Sequence, residues 1–198
     1  MTTPTRCELC EDPLGGGHDL LGGMALCRRC AVGDLERVAA ARGWKLWVEQ
    51  HEEYDRQSPG GARQYVTLVG IDIVPAPALR LICERHRWWM KLFGLLRRRA
   101  RSSDPLFETH VRVWTPDPAQ AQGFMRRTGV ESSLLDLAGG LVGSGVEIRG
   151  SSLKVRYRAD EQHPEGEIVA RAGVLARHVE RFAVDDEPAR PRAPSGPG

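Results

Sequence analysis

Two Cys-x-x-Cys pairs near the start of the chain constrain its fold more than any other feature. Sixteen residues separate the pair Cys7 and Cys10 from the pair Cys27 and Cys30, and the only other cysteine is Cys83. Four thiolates at this spacing are typical of a structural zinc site, because Zn²⁺ binds four such ligands in a tetrahedron. We therefore predict that the two pairs together bind one structural Zn²⁺ ion.

Iron and disulfide bonds are the alternatives to zinc at these cysteines. Iron can bind the same set of thiolates. Disulfides need an oxidising compartment, whereas residues 1–6 contain no apolar stretch of the kind that directs secretion, so we expect a cytoplasmic protein. Four protein ligands leave no position open for water, which favours a structural role over a catalytic one. His18, between the pairs, is either a supporting ligand or a solvated loop residue.

The residues around the cysteines predict a hairpin and a helix. Two short apolar runs flank Gly22 and Gly23, a dipeptide that favours a two-residue hairpin turn. Residues 31–42 have apolar positions at helical spacing, and Gly43 is placed to end the helix. The order of Cys pair, hairpin, Cys pair and helix resembles a treble-clef zinc finger, which we assign to residues 4–43.

The pattern after residue 43 predicts an α+β domain over residues 44–184, with a mixed, mainly antiparallel sheet and packed helices. Alternating or β-branched stretches predict strands at residues 44–49, 65–74, 79–83 and 107–114, and a hairpin at 146–148 and 153–157. Polar, Gly-rich and Pro-rich stretches predict a loop at 51–62 and a chain break at 102–105. Helical periodicity and capping residues predict helices at 118–128, 130–138 and 164–184. Residues 185–198 are charged and rich in Pro and Gly, so we expect a disordered tail.

The segment from Asp104 onward carries a longer pattern. It has an Asp-x-x-Phe start, a short strand, an acidic turn leading into a helix, a Leu-rich helix and a closing hairpin. The matching residues are Asp104, Pro105, Phe107, Val111, Val113, Thr115, Asp117, Ala119, Ala121, Leu134, Leu135, Leu137, Val146, Glu147, Ile148, Leu153, Lys154 and Val155. With the final helix, this segment covers a little under half of the chain and resembles a family of bacterial domains of unknown function. The resemblance implies a mixed α+β domain and no particular reaction.

Positive charge is concentrated in one segment. The whole chain has a formal net charge of +2, but residues 80–101 contain eight basic residues and one acidic residue. This basic-aromatic segment is a candidate surface for a protein partner, for nucleic acid or for an anionic membrane, although its aromatic residues can equally belong to the core. The candidate residues are Arg85, Arg87, Trp88, Trp89, Lys91, Phe93, Arg97, Arg98, Arg99 and Arg101.

The remaining reactive residues do not form a recognisable catalytic motif. The histidines beyond the finger are scattered, and Cys83, three residues before His86, is expected to be a small buried side chain. We therefore predict a protein that is not an enzyme.

The preferred function is that of a zinc-stabilised bacterial binding or adaptor protein that contacts a protein partner through its finger. Nucleic-acid binding is the first alternative, and peripheral binding to a membrane surface is the second; both use the basic-aromatic segment. A bacterial origin is indicated by the excess of arginine over lysine, which is typical of GC-rich genomes. A homodimer is a further option, formed through apolar hairpin residues, namely Leu20, Leu21, Met24 and Leu26.

Overall fold

A computed structural model describes residues 4–14, 18–55, 62–75, 78–85, 98–141 and 143–186. The strands are Asp19–Leu21 (β1), Met24–Leu26 (β2), Lys45–Asp55 (β3), Ala62–Asp72 (β4), Arg80–Arg85 (β5), Arg99–Ala100 (β6), Val111–Trp114 (β7), Gly145–Arg149 (β8) and Ser152–Ala159 (β9). The helices are Arg28–Ala31 (α1), Glu36–Arg42 (α2), Pro105–His110 (α3), Pro118–Met125 (α4), Val130–Ala138 (α5) and Glu165–Asp186 (α6).

Seven strands form one antiparallel sheet in the order β3-β4-β9-β8-β5-β7-β6, and β1 pairs with β2 in a separate hairpin. Helices α5 and α6 contact the central strands of the large sheet. Along β9, Leu153 and Val155 are buried while Lys154 and Arg156 are exposed, which is the alternation expected of a sheet with one face on the core. The predicted fold class, a mixed α+β protein with a mainly antiparallel sheet, is confirmed at this level.

The predicted loop at residues 51–62 is wrong at both ends. Strand β3 runs on to Asp55 and β4 starts at Ala62, with continuous pairing from Lys45 opposite Asp72 to Asp55 opposite Ala62. The residues at the end of β3 are mostly polar and do not show the pattern that predicts a strand. An edge strand buries little of either face, so its alternation of apolar and polar residues is weak. Residues 56–61 lie outside the described residues.

The predicted strand at residues 107–114 is half wrong. Its first part belongs to α3, and only Val111–Trp114 forms a strand. Asp104 is the N-cap of α3, its side chain accepting a hydrogen bond from the backbone N–H of Leu106, and Pro105 occupies the first turn. The residues predicted to be a chain break therefore begin a helix. The alternating apolar residues that follow them favoured a strand instead, which is why this helix was not predicted.

Three helix boundaries differ from the prediction. The finger helix is two helices, α1 and α2, because Gly33 between them adopts a φ of +85°. Helix α4 ends at Met125 rather than at residue 128. Helix α6 includes residues 185 and 186, which were predicted to belong to the disordered tail. Residues 187–198 of that predicted tail lie outside the described residues.

The four-cysteine segment and the sheet segment contribute to one hydrophobic cluster. Leu26 and Leu35 belong to it together with residues from the sheet and from α6. The hairpin residues proposed for dimerisation are mostly inside this cluster, since Met24 and Leu26 are buried and only Leu20, at 73% exposure, is largely open to solvent. The buried hairpin side chains therefore stabilise the protein's own fold.

Two helical glycines provide a matched test of this packing. Gly123 in α4 is exposed, and a Cβ placed on it meets no atom within 4 Å, so Gly123→Ala should raise the free energy of unfolding by about 0.5–1 kcal/mol. Gly173 in α6 instead faces Leu35, whose Cδ1 atom lies 2.3 Å from a Cβ built there. Gly173→Ala should lower the free energy of unfolding by about 1–3 kcal/mol. Urea unfolding of both variants tests the prediction, and two changes of the same sign would contradict it.

Candidate metal centre

The four predicted ligands converge on one point. The Sγ atoms of Cys7, Cys10, Cys27 and Cys30 all lie within 4.8 Å of one another, and those of Cys10 and Cys27 are 3.7 Å apart. All four thiols are free rather than joined in disulfides, whose S–S bond is about 2.05 Å long. The cluster is compatible with a bound metal ion held by four sulfur ligands.

Tight local structure positions each pair. In the first pair, the backbone N–H of Glu11 donates to the carbonyl of Cys7 at 2.9 Å, and Glu11 takes a φ of +65°, so the chain turns sharply around the thiols. In the second pair, Cys27 occupies the N-cap position of α1 without a side-chain capping bond, and the N–H of Ala31 donates to its carbonyl at 3.0 Å. Each pair is therefore held in a short turn by its own backbone.

The pKa values of three thiols in the cluster are shifted, and not all in the same direction. Burial raises the pKa of Cys10 to about 12, and it raises the pKa of Cys30 as well. Burial acts in the same direction on Cys7, but backbone hydrogen bonds from Cys10, Cys27 and Leu9 outweigh it and lower the pKa of Cys7. Buried thiolates need a neutralising cation, which a metal ion supplies.

The two other candidate ligands do not join the cluster. His18 is exposed and is not among the grouped ligand atoms. Cys83 is fully buried in β5, where burial raises the pKa of its thiol, as expected for a small core side chain.

An arginine network fixes the finger to the long helix α6. Arg42, at the end of α2, donates from Nε and Nη2 to the carbonyl of Leu9 at 3.0 and 2.9 Å. Its Nη1 lies 3.1 Å from a carboxylate oxygen of Glu180 on α6, and both side chains are largely buried. Because Leu9 lies between Cys7 and Cys10, this arginine links the four-cysteine cluster directly to α6.

A second ionic contact joins the finger to α6. The Glu8 carboxylate accepts hydrogen bonds from Arg181 at 2.8 Å and from the backbone N–H of Ala25 at 3.1 Å. Burial alone would raise the pKa of Glu8, but these two hydrogen bonds outweigh it, so the pKa is lowered and the carboxylate stays ionised. Glu8 thus ties the first Cys pair to both the hairpin and α6.

His178 on α6 is expected to make the free energy of unfolding depend on pH. Its side chain is 6% exposed, and its Nε2 lies 3.0 Å from the carbonyl oxygen of Gly22. Burial lowers the pKa of His178 and nearby Arg181 adds to this, although the Gly22 carbonyl and Glu8 oppose it. Full stability is therefore present above the unfolded-state value of about 6.5 and is lost as the pH falls toward the lower folded pKa, because the unfolded chain then binds the proton more tightly.

Urea unfolding between pH 7.5 and 5.5, in the presence of excess zinc, measures this contribution. The wild type should lose at most about 1.4 kcal/mol per pH unit through this one proton. The variant His178→Gln should show a shallower loss, whereas His18→Gln, at an exposed position, should follow the wild type. Identical pH profiles for His178→Gln and the wild type would show that this histidine does not titrate differently on folding.

Four of the ten candidate residues in the basic-aromatic segment lie within the described residues, and two of these four make contacts inside the protein. Arg85, at the end of β5, donates to the carbonyl of Gly140. Arg99 in β6 pairs with Glu108 of α3, and burial lowers the pKa of its guanidinium. These two arginines support the protein's own fold.

The other two described members are Arg98 and Arg101. The carbonyl of Arg98 accepts a hydrogen bond from the N–H of Thr115 at 3.1 Å, and its side chain is exposed. Arg101 is exposed beside a polar cavity of about 620 Å³. The remaining candidates lie outside the described residues, namely Arg87, Trp88, Trp89, Lys91, Phe93 and Arg97.

A groove on the outer face of the sheet was not predicted from the sequence. It has a volume of about 490 Å³ and is lined by the apolar side chains of Trp47, Leu68 and Ile82. Trp47 lies over Gly70, since a Cβ built on that glycine would be 2.1 Å from the indole ring. Charged residues of both signs surround the apolar floor, namely Glu84, Arg85, Glu147, Lys154 and Arg156. Only the pairing of strands distant in sequence brings these residues together.

Comparisons of the chain with protein-family models, with curated proteins and with solved structures found no match. The resemblance of the segment from Asp104 onward to a bacterial family therefore stays a prediction. Among the helices of the described residues, none combines the length and the apolar character needed to cross a bilayer.

Proposed function

We propose that Cys7, Cys10, Cys27 and Cys30 bind one structural Zn²⁺ ion in a treble-clef-like finger, and that the protein is a non-catalytic binding or adaptor protein for a protein partner. The single observation that carries the proposal is the convergence of four free thiols within 4.8 Å. Zinc–sulfur bonds of about 2.3 Å give a tetrahedron whose sulfur–sulfur edges are about 3.8 Å. The 3.7 Å between Cys10 and Cys27 agrees with that edge.

A structural role for the ion is supported by the way the finger is built into the fold. Cys7 and Cys30 are buried, and four cysteines fill a tetrahedral shell without a position for water or substrate. Arg42 and Glu8 connect the loop around the ion to α6. We infer that the ion orders the hairpin and the two Cys turns, which in turn cover one end of the hydrophobic core.

The outer groove is the surface that best supports a binding role. Helices contact the opposite face of the sheet, and within the described residues the outer face presents an apolar floor with a charged rim. Such a composition is typical of protein interfaces, whose centre is apolar and whose periphery is polar. The mixture of acidic and basic residues on the rim favours a protein over a polyanion, which would require mainly positive charge.

Quantitative affinity capture with the zinc-loaded protein tests this function. The variant Ile82→Lys places a charge in the middle of the groove, where Ile82 is half-buried, and should weaken capture of the partner at least about ten-fold. Leu20→Ala is the matched control, because it removes an exposed apolar side chain from the finger instead.

The outcome also separates the alternative functions. Loss of capture with Leu20→Ala but not with Ile82→Lys would place the partner on the finger. Salt-sensitive retention of the wild type on heparin would favour nucleic acid, and flotation with anionic liposomes would favour a membrane surface. Either of the last two results, without protein capture, would overturn the proposed partner class.

A further inference from the structure

The two edges of the large sheet are protected very differently. At one edge, β6 has only two residues, which is a common way to prevent unwanted strand pairing. At the other edge, β3 has eleven residues, contains no proline and pairs with β4 in an unbroken register without a bulge. Within the described residues, no backbone hydrogen bond joins the far side of β3 to another segment. The long edge thus offers a continuous row of peptide groups for a further strand.

The sequence of β3 complements itself when it is reversed. An antiparallel pair related by a two-fold axis through Gln50 aligns all eleven residues of both copies. Glu49 then faces His51, and Trp47 faces Glu53. No two like charges are opposite each other in this register, and opposite-charge cross-strand pairs stabilise a sheet.

Neighbouring registers lack this complementarity. An axis through position 49 sets Glu49 against its own copy, and an axis through His51 sets Glu49 against Glu53. Like charges directly opposite each other destabilise strand pairing, and both registers also shorten the overlap. A register shifted by a single residue would place the two cores on opposite faces of the joined sheet, an arrangement that a two-fold axis cannot generate.

We propose that β3 pairs with β3 of a second copy of this chain, around a two-fold axis through Gln50, and joins two seven-stranded sheets into one continuous sheet. In a two-fold pair, the backbone hydrogen-bonding groups on the edges of the two β3 strands bind each other. No strand then remains exposed for further growth at that side. The outer faces of both sheets then lie on the same side of the dimer, so the two grooves form one extended surface. The pairing depends on the fold alone and is independent of the proposed zinc and partner binding.

Crosslinking at the axis tests the register. In the zinc-loaded protein, Gln50→Cys puts two cysteines opposite each other, and facing residues of antiparallel strands have Cα atoms about 4.5–5.5 Å apart, which suits a disulfide. We expect mild oxidation to convert most of this variant to a covalent dimer. The control Glu52→Cys, at an exposed position on the same face of β3, faces Val48, so its two cysteines are about 14 Å apart and should not crosslink at a comparable rate.

Sedimentation equilibrium measures the association itself. The wild type should show a concentration-dependent mass that approaches twice the 21.9 kDa of the chain. Gln50→Arg places two cations against each other at the axis and should raise the dimer dissociation constant at least about ten-fold, whereas Glu52→Arg should stay close to the wild type. We take about 100 µM as the upper end of the monomer concentration for specific pairing. A wild type that remains monomeric at that concentration would overturn the proposal. A dimer in which position 50 crosslinks no faster than position 52 would overturn it as well, since the contact would then lie elsewhere.

Discussion

Replacing Cys30 by serine should remove the metal ion and lower the free energy of unfolding by at least about 4 kcal/mol. The reason is that a structural zinc ion contributes about 10–16 kcal/mol of binding free energy in isolated fingers, and this free energy is present only when the ligands are folded around the ion. Cys30 is buried in α1 and belongs to the common hydrophobic cluster. The loss should therefore reach the sheet as well as the finger, and should appear in urea unfolding followed by circular dichroism.

Two controls separate loss of the ion from loss of a cysteine. Cys83→Ala also removes a buried thiol, but one outside the four-cysteine cluster, and should cost only about 1 kcal/mol while the metal content stays unchanged. A strong chelator should destabilise the wild type to about the level of Cys30→Ser and should leave that variant unaffected. A Cys30→Ser variant that is as stable as Cys83→Ala would argue against a structural ion.

Replacing Gly33 by alanine should detach the finger from the start of α6 and lower the free energy of unfolding by about 3 kcal/mol or more. A Cβ built on Gly33 lies 2.2 Å from the carbonyl oxygen and 2.5 Å from the Cα of Gly166. Both are backbone atoms, so the contact cannot be relieved by rotation of a side chain. A similar approach occurs at the hairpin turn, where a Cβ on Gly129 would lie 1.9 Å from the carbonyl oxygen of Gly22.

Gly43→Ala is the matched control for Gly33→Ala. Both glycines have a positive φ, +67° at Gly43 and +85° at Gly33, but a Cβ on Gly43 meets no atom within 4 Å. Gly43→Ala therefore measures the conformational cost alone, about 1–2 kcal/mol, and the difference between the two variants measures the close contact. Equal unfolding free energies for the two variants would show that the finger does not depend on this contact.

The parts of the fold that could be predicted from the sequence are those encoded by neighbouring residues. The Cys-x-x-Cys pairs, the Gly22-Gly23 turn with φ values of +53° and +75°, and the capped helix α4 all depend on residues a few positions apart. The start of α3 was encoded equally locally, by Asp104 and Pro105, but a competing alternation of apolar residues pointed to a strand. Local signals of similar strength cannot be ranked without knowledge of the packing.

The contacts that join the four-cysteine segment to the rest of the protein could not be predicted in this way. Arg42 and Glu180 are 138 positions apart, and Glu8 and Arg181 are 173 apart. Each is a charged residue, for which a solvated position is the usual outcome. Likewise, the groove around Ile82 exists only because β3, β5, β8 and β9 share a sheet, an order that the spacing of residues along the chain does not specify.

The most direct test of the proposed zinc finger is the metal content of the purified protein, measured by elemental analysis together with native mass spectrometry. The account predicts one zinc ion per chain, retained in Cys83→Ala and absent from Cys7→Ser and Cys30→Ser. A protein prepared under reducing conditions without chelator that contains no metal, or that contains iron in place of zinc, would contradict it.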